Sequence, residues 1–226
     1  MVLRDMAGRL RAPWRFAPAT CVLSLACAAA FAAQRVLGRV PFMVEHPFAE
    51  PFTFIFGVHP PLLAGGFFWQ PLTYAFLHGS WLHLLVNFVG ILFFGFALEM
   101  ELGARRFLLL FFASSVAGGL FWALGEGVLS LLSDLRPFET CIGASGGAYG
   151  LVGAFTALYA SRRLTVLVYF IPMRLRGKTL AWVVLAVTVL DATFDITGTA
   201  YAAHFAGFVA GWFAGRRLRG EGFGEA

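Results

Sequence analysis

The chain has 226 residues, 59% of them hydrophobic and only 13% charged, with 26 phenylalanines. Soluble domains carry about 25% charged residues, so this composition excludes a water-soluble globular enzyme and points to an integral membrane protein. The net charge of +5 resides in short basic clusters between apolar runs. Membrane topology and anionic lipid account for it, and no nucleic-acid partner is implied.

A helix that spans a ~30 Å hydrocarbon core needs ~20 apolar residues. Six runs approach that length, at about residues 17–36, 81–98, 107–124, 145–160, 179–194 and 200–215. The fold class expected is therefore an all-α integral membrane protein, a six-helix transmembrane bundle forming a single domain over residues 1–226. Several runs are near the short limit, which fits packing inside a bundle or local bilayer thinning. The apolar octet at residues 164–171, just before Pro172, offers an earlier start for the fifth span.

The basic residues set the expected orientation. Arg4, Arg9, Arg11 and Arg15 precede the first span, and Arg105 and Arg106 separate the second from the third. Arg162, Arg163, Arg174, Arg176 and Lys178 lie between the fourth and fifth, and Arg216, Arg217 and Arg219 follow the sixth. Fourteen of the seventeen Lys and Arg thus fall on one side, against Arg35, Arg39 and Arg136 on the other. By the positive-inside rule both ends of the chain face the cytoplasm, in a multi-pass protein of the cell (inner) membrane.

Between the first and second spans, residues 38–80 hold six of the ten prolines, interleaved with Phe42, Phe48, Phe52, Phe54, Phe56, Phe67, Phe68 and Trp69. A segment this aromatic is expected to lie in the headgroup layer on the outer face, where amphipathic rings are favoured. The three cysteines, Cys21, Cys27 and Cys141, imply no disulfide framework. No His/Cys/carboxylate group has the spacing of a metal site, and no cofactor is expected.

Polar groups inside a membrane are costly and are site candidates. In the second span His83 and Asn87 are four residues apart and share a helical face, with His78 just before them. An imidazole and a carboxamide there can donate hydrogen bonds to an oxyanion, a major need of acyl transfer. Gly143-Ala144-Ser145-Gly146 places a serine at the start of the fourth span, with Tyr149 one turn deeper and Gly146 and Gly150 as a small-xxx-small pair. The sixth span opens with Ala203-His204 and continues through Gly207, Gly211 and Gly215. If the fourth and sixth spans pack through their glycine faces, Ser145 and His204 meet some 5–10 Å below the outer surface, at ~1.5 Å of rise per residue. The topology puts the polar residues of all three even-numbered spans at one end of the bundle.

Taken together, these residues resemble the rhomboid intramembrane serine proteases. The resemblance runs from Trp69 to Gly215 and rests on the Gly143–Gly146 motif with Tyr149, on Ala203-His204 with Gly207 and Gly211, on His78, His83 and Asn87, and on Glu99 with Leu102-Gly103. It implies a minimal six-helix member of bacterial type, without an added soluble domain, that cleaves transmembrane protein substrates near the outer membrane boundary. Ser145 would be the nucleophile and His204 the general base, with Tyr149 stacked on the imidazole. The Ser145 amide, His83 and Asn87 would hold the oxyanion, supported by Gly143 and His78. Water would enter from the outer side, beneath a cap near residues 195–199. An alternative within the family is an inactive relative that binds or escorts membrane clients.

The sequence departs from the family at Trp69-Gln70, where Trp-Arg is common, which leaves the bonding of the outer segment open. Glu99 with Arg105 or Arg106 is expected to stabilise the turn between the second and third spans. Asp191 and Asp195 would lie at the outer end of the fifth.

Overall fold

The computed structural model describes residues 13–37, 51–132, 138–168, 171–194 and 200–224. The chain is mostly helical. A short turn of helix, α1 (Pro13–Phe16), leads into α2 (Pro18–Leu37). Short helices α3 (Pro51–Phe56), α4 (Pro60–Ala64) and α5 (Gln70–Thr73), with a 3-10 turn at Tyr74–Phe76, then precede α6 (Trp81–Leu102). Next come α7 (Ala104–Leu132), α8 (Ser145–Leu158), a hairpin of β1 (Arg163–Val168) and β2 (Ile171–Arg176), α9 (Gly177–Phe194) and α10 (Tyr201–Gly220).

Among the described residues, three helices are long and apolar enough to cross a membrane: Pro18–Leu37, Trp81–Leu102 and Ala104–Ser130, with mean hydropathy of 1.6, 2.0 and 2.0. The other three long helices have local reasons to fall outside that group. α8 has 14 residues, about 21 Å at 1.5 Å per residue. Among the described residues of α9, the apolar stretch is Gly177–Ala186. In α10, Arg216, Arg217 and Arg219 crowd the last five positions.

The hairpin corrects the all-α expectation. Its strands pair antiparallel from Arg163 opposite Arg176 to Val168 opposite Ile171, so most of the apolar octet forms a ladder and does not extend the next helix. The alternation in β2 fits this, with Arg174 and Arg176 exposed and Leu175 half-buried between them, the period-2 pattern of a strand.

Helix directions follow from which residues meet. Gly207, Gly211 and Gly215 of α10 pack directly on the backbone of Gly146, Gly150 and Ala154 of α8, so the pairs advance together and the two helices are parallel. At one end of α6 His83 lies against Gly143, and at the other Glu101 accepts a hydrogen bond from Tyr159 Oη at 3.2 Å; α6 therefore runs the same way. α7 runs opposite, with Ser114 against Gly150 and Gly118 against the Ala203 carbonyl.

Glu99 also differs from expectation. Its buried carboxylate accepts from the Ala19 and Thr20 amides (2.9 and 2.7 Å) and from Thr20 Oγ1 (2.7 Å). The first amides of α2 have no intrahelical acceptor, and a carboxylate at the positive helix end satisfies them and complements the dipole. Glu99 thus fastens α2 to α6.

The residues before α6 are packed as well. Gln70, fully buried, accepts from the His59 amide at 3.1 Å and donates Nε2 to the Phe54 and Ile55 carbonyls, both at 3.2 Å. The neutral amide, a donor and an acceptor in one group, joins α3, α5 and the turn between α3 and α4. At the far end of α2, Gln34 Oε1 accepts from the His78 amide at 3.2 Å, and Arg35 donates to the Gly79 carbonyl at 2.6 Å.

Candidate active site

Ser145 is the first residue of α8 and His204 lies in the first turn of α10. Because the helices are parallel and in glycine register, these two ends are level. His204 Nε2 is 2.8 Å from Ser145 Oγ, hydrogen-bond distance for a hydroxyl and an imidazole. Tyr149, one turn into α8, stacks on the His204 ring with centroids 4.4 Å apart and planes 5° from parallel. His204 is buried, while Ser145 and Tyr149 are half-buried.

The approach to Ser145 is pinned from outside α8. Gly143 has φ +127°, a region that favours glycine. Its amide donates to the Tyr74 carbonyl at 2.9 Å, while Cys141 and Val58 exchange two backbone hydrogen bonds, each 2.9 Å. A Cβ at Gly143 would stand 2.8 Å from His83 Nε2 and 3.6 Å from Ser145 Oγ, so the imidazole, the hydroxyl and the glycine converge on one small volume. The Gly79 amide donates to His83 Nδ1 over a long 3.5 Å; that assignment leaves the His83 proton on Nε2, toward Gly143. Asn87, buried one turn on, donates Nδ2 to the His83 carbonyl at 2.9 Å, which uses one of its two amide hydrogens.

His78 is a neighbour of this set and not part of it. It is fully buried and lies edge-on to the His83 ring, with centroids 5.1 Å apart. Its Nδ1 bonds the Phe76 carbonyl at 3.2 Å. Burial, then the nearby His83, lowers its pKa to about 4, so it is neutral at physiological pH. Gly146, Gly150, Gly207 and Gly211 are all buried at the α8–α10 seam.

Two residues absent from the sequence reading support the approach to Ser145. Tyr74 is buried, with its hydroxyl on the Ser115 carbonyl at 2.7 Å and its own carbonyl on Gly143. Glu126, a buried carboxylate near the end of α7, accepts from the Glu139 amide at 3.1 Å. An ionisable residue in an apolar helix was the available signal for Glu126; Tyr74 had none, being one more ring in an aromatic segment. Residues 195–199 lie outside the described residues, as does the side chain of Asp191. No group of three or more His, Cys, Asp or Glu able to hold a metal occurs among the described residues.

The family model for the rhomboid domain matches residues 65–221, more than half of the chain, including Ser145, His204, Tyr149, His83 and Asn87. The chain belongs to the rhomboid family. Similar relatives include RHOMBOID-like protein 5 of Arabidopsis thaliana, 28% identical over 80% of this chain and 55% of its own length. Rhomboid protein 1, mitochondrial, of Saccharomyces cerevisiae is 31% identical over 61% of this chain and 38% of its own. Rhomboid protease GluP of Bacillus subtilis is 29% identical over 70% and 27%. The matches thus span about half or less of the length of these curated relatives. Rhomboid membership and the apolar helices make this a membrane protein.

Proposed function

We propose that this rhomboid is an intramembrane serine endopeptidase that cleaves transmembrane proteins near the outer face of the cell membrane. The observation that carries the proposal is the 2.8 Å contact between His204 Nε2 and Ser145 Oγ, with Tyr149 stacked behind the imidazole. A structural serine needs no such partner on another helix, and a packing histidine needs no ring held parallel to it.

The chemistry follows from these atoms. His204 Nε2 takes the Ser145 hydroxyl proton as Oγ attacks the substrate carbonyl carbon. The carbonyl oxygen becomes an oxyanion beside the start of α8, whose first amides lack intrahelical acceptors and lie at the positive dipole end. The Ser145 amide, His83 Nε2–H and the second Asn87 amide hydrogen are the donors we assign to it. His204 then passes the proton to the leaving nitrogen as the C–N bond breaks, leaving an ester on Ser145. A water deprotonated by His204 attacks that ester; the acid product leaves and the proton returns to Oγ. Six spans, with both chain ends cytoplasmic, would open this site to the extracytoplasmic side and admit water there. Membrane lipid and transmembrane substrates are the partners; no metal or cofactor enters any step.

The test uses the purified full chain in liposomes with a transmembrane substrate and a fluorophosphonate probe. Cleavage and labelling are expected in the parent, and neither in Ser145→Ala. His204→Ala is expected to lose cleavage. Cleavage by Ser145→Ala at the parent rate would overturn the proposal. Absence of cleavage and labelling in a folded parent would favour the inactive, client-binding alternative.

A further inference from the structure

Residues of α9 and α10 line a cavity of about 500 Å³, within the ~300–1,000 Å³ typical of small-molecule sites. The α9 wall is Lys178, Trp182 and Leu185; the α10 wall runs from Phe205 through Val209 to Trp212. A second cavity of about 460 Å³ adjoins it, bounded by Arg216 and Arg219 and sharing Ala160 and Trp212 with the first.

Helical spacing gives this groove a polarity. Residues 205, 209, 212, 216 and 219 lie three or four apart and form one stripe on α10, aromatic and aliphatic first, then Trp212, then two arginines. α9 carries the mirrored stripe, because the chain enters it at Lys178 and reaches Trp182 and Leu185 one and two turns on. The basic ends of both walls therefore meet at the same end of the groove, each followed by a tryptophan. Arg216 lies 5.0 Å over the Trp212 ring, which holds the guanidinium at that boundary. Trp182 is 72% exposed and Phe205 47% exposed, so the apolar part opens to acyl chains. It extends about 11 Å from Phe205 to Trp212, at 1.5 Å per residue.

A basic mouth, two interfacial tryptophans and an apolar trough match one kind of ligand. We propose that this groove binds an anionic phospholipid, its phosphate held by Arg216, Arg219 and Lys178 and one acyl chain laid between α9 and α10 below Trp182 and Trp212. Charge complementarity selects the occupant. A zwitterionic lipid offers the same chains but no net charge, whereas each basic side chain near a membrane surface adds about 1 kcal/mol of attraction for anionic lipid, about fivefold in occupancy. The site lies at the far end of α10 from His204 and stands whether or not the protein is a protease.

Brominated acyl chains quench nearby tryptophan, and Trp212 provides the reporter. The full chain is reconstituted in mixed phosphatidylcholine and phosphatidylglycerol liposomes, with bromine on one lipid or the other. The Trp212 signal is the difference between parent and Trp212→Phe. Brominated phosphatidylglycerol is expected to quench it at least fivefold more effectively per mole. The preference is expected to disappear in Arg216→Gln/Arg219→Gln/Lys178→Gln and to survive in Arg216→Lys/Arg219→Lys, which keeps the charge. Equal quenching by the two lipids would reduce the groove to ordinary annular surface and overturn the proposal. So would a preference that persists in the triple variant, or displacement of the lipid by an added transmembrane peptide.

Discussion

The proposed catalytic pair depends on how closely two backbones approach, and Gly207→Ala tests that dependence. A Cβ at Gly207 would collide with the Gly146 carbonyl oxygen and lie 2.9 Å from its carbon, where ordinary van der Waals contact begins at 3.4 Å. The start of α10 must therefore withdraw by at least about 0.5 Å, and by more along the carbonyl. Gly207 is three residues from His204, so the withdrawal passes almost undiminished to Nε2. The 2.8 Å contact with Ser145 Oγ then opens past the ~3.2 Å limit of a good hydrogen bond. A displacement near 1 Å at a reacting centre can cost about 10²-fold in rate, while overpacking costs about 1–3 kcal/mol of stability. The assay is kcat on a transmembrane substrate in liposomes, with thermal unfolding measured on the same samples. Gly90→Ala is the control, because nothing lies within 4 Å of a Cβ there; it is expected to match the parent in both measurements. If Gly207→Ala retained kcat within about threefold of that control, backbone proximity would not be what sets the dyad.

Three further outcomes are expected. Tyr149→Phe keeps the ring stacked on His204, whereas Tyr149→Ala removes a contact worth about 0.5–1.5 kcal/mol and should lower kcat about three- to tenfold with KM unchanged. Gln70→Ala removes the acceptor of the buried His59 amide, at about 1–3 kcal/mol for a buried group left unsatisfied, and the donor that ties Gln70 to α3; the unfolding temperature should fall clearly, and Gln70→Glu, which lacks the donor, should not restore it fully. His78 titrates near pH 4 when folded and near 6.5 when unfolded, so the unfolded state takes up the proton first. Stability is then full above about pH 6.5 and declines as pH falls toward 4, by up to about 3 kcal/mol from this residue at 1.36 kcal/mol per unit. His59, also depressed by burial, acts in the same direction. His78→Phe should flatten part of that decline in unfolding temperature between pH 7 and 4.

How much of this was legible in the sequence depended on the range of the interaction. The starts of the long helices at Trp81 and Ser145 coincide with the onset of apolar runs, because hydropathy is a local signal. The motif residues stood out because an ionisable histidine is rare within an apolar helix, and a serine between small residues opens another such helix. The hairpin at Arg163–Arg176 was read as apolar sequence adjoining a span, since a short apolar run fits a strand or a buried helix equally well. Glu99 was assigned to the nearest turn, yet its partners Ala19 and Thr20 are about 80 residues away. Gln70 was noticed only as a missing charge. What it does instead became visible once the carbonyls of α3 were placed around it.

The arrangement of the site has a single geometric cause. α6, α8 and α10 run parallel, so their first turns, with unsatisfied amides and positive dipole ends, come to one level. His83, Ser145 and His204 all occupy those first turns, so each catalytic candidate sits where its helix offers donors. Helices whose side chains kept them a usual 8–10 Å apart would hold Ser145 and His204 too far apart to touch. Under the proposed mechanism the glycine seam would act on chemistry as well as on packing, and α10 is where the two meet: Gly207, Gly211 and Gly215 lie against the α8 backbone, and one turn before the first of them stands His204. It follows that Ala substitutions along the seam should weaken activity in order of nearness to His204. Gly207 should be the most sensitive, Gly211 next and Gly215 least, even though all three insert a methyl against the α8 backbone. A ranking by stability alone, with kcat indifferent to position, would contradict that account.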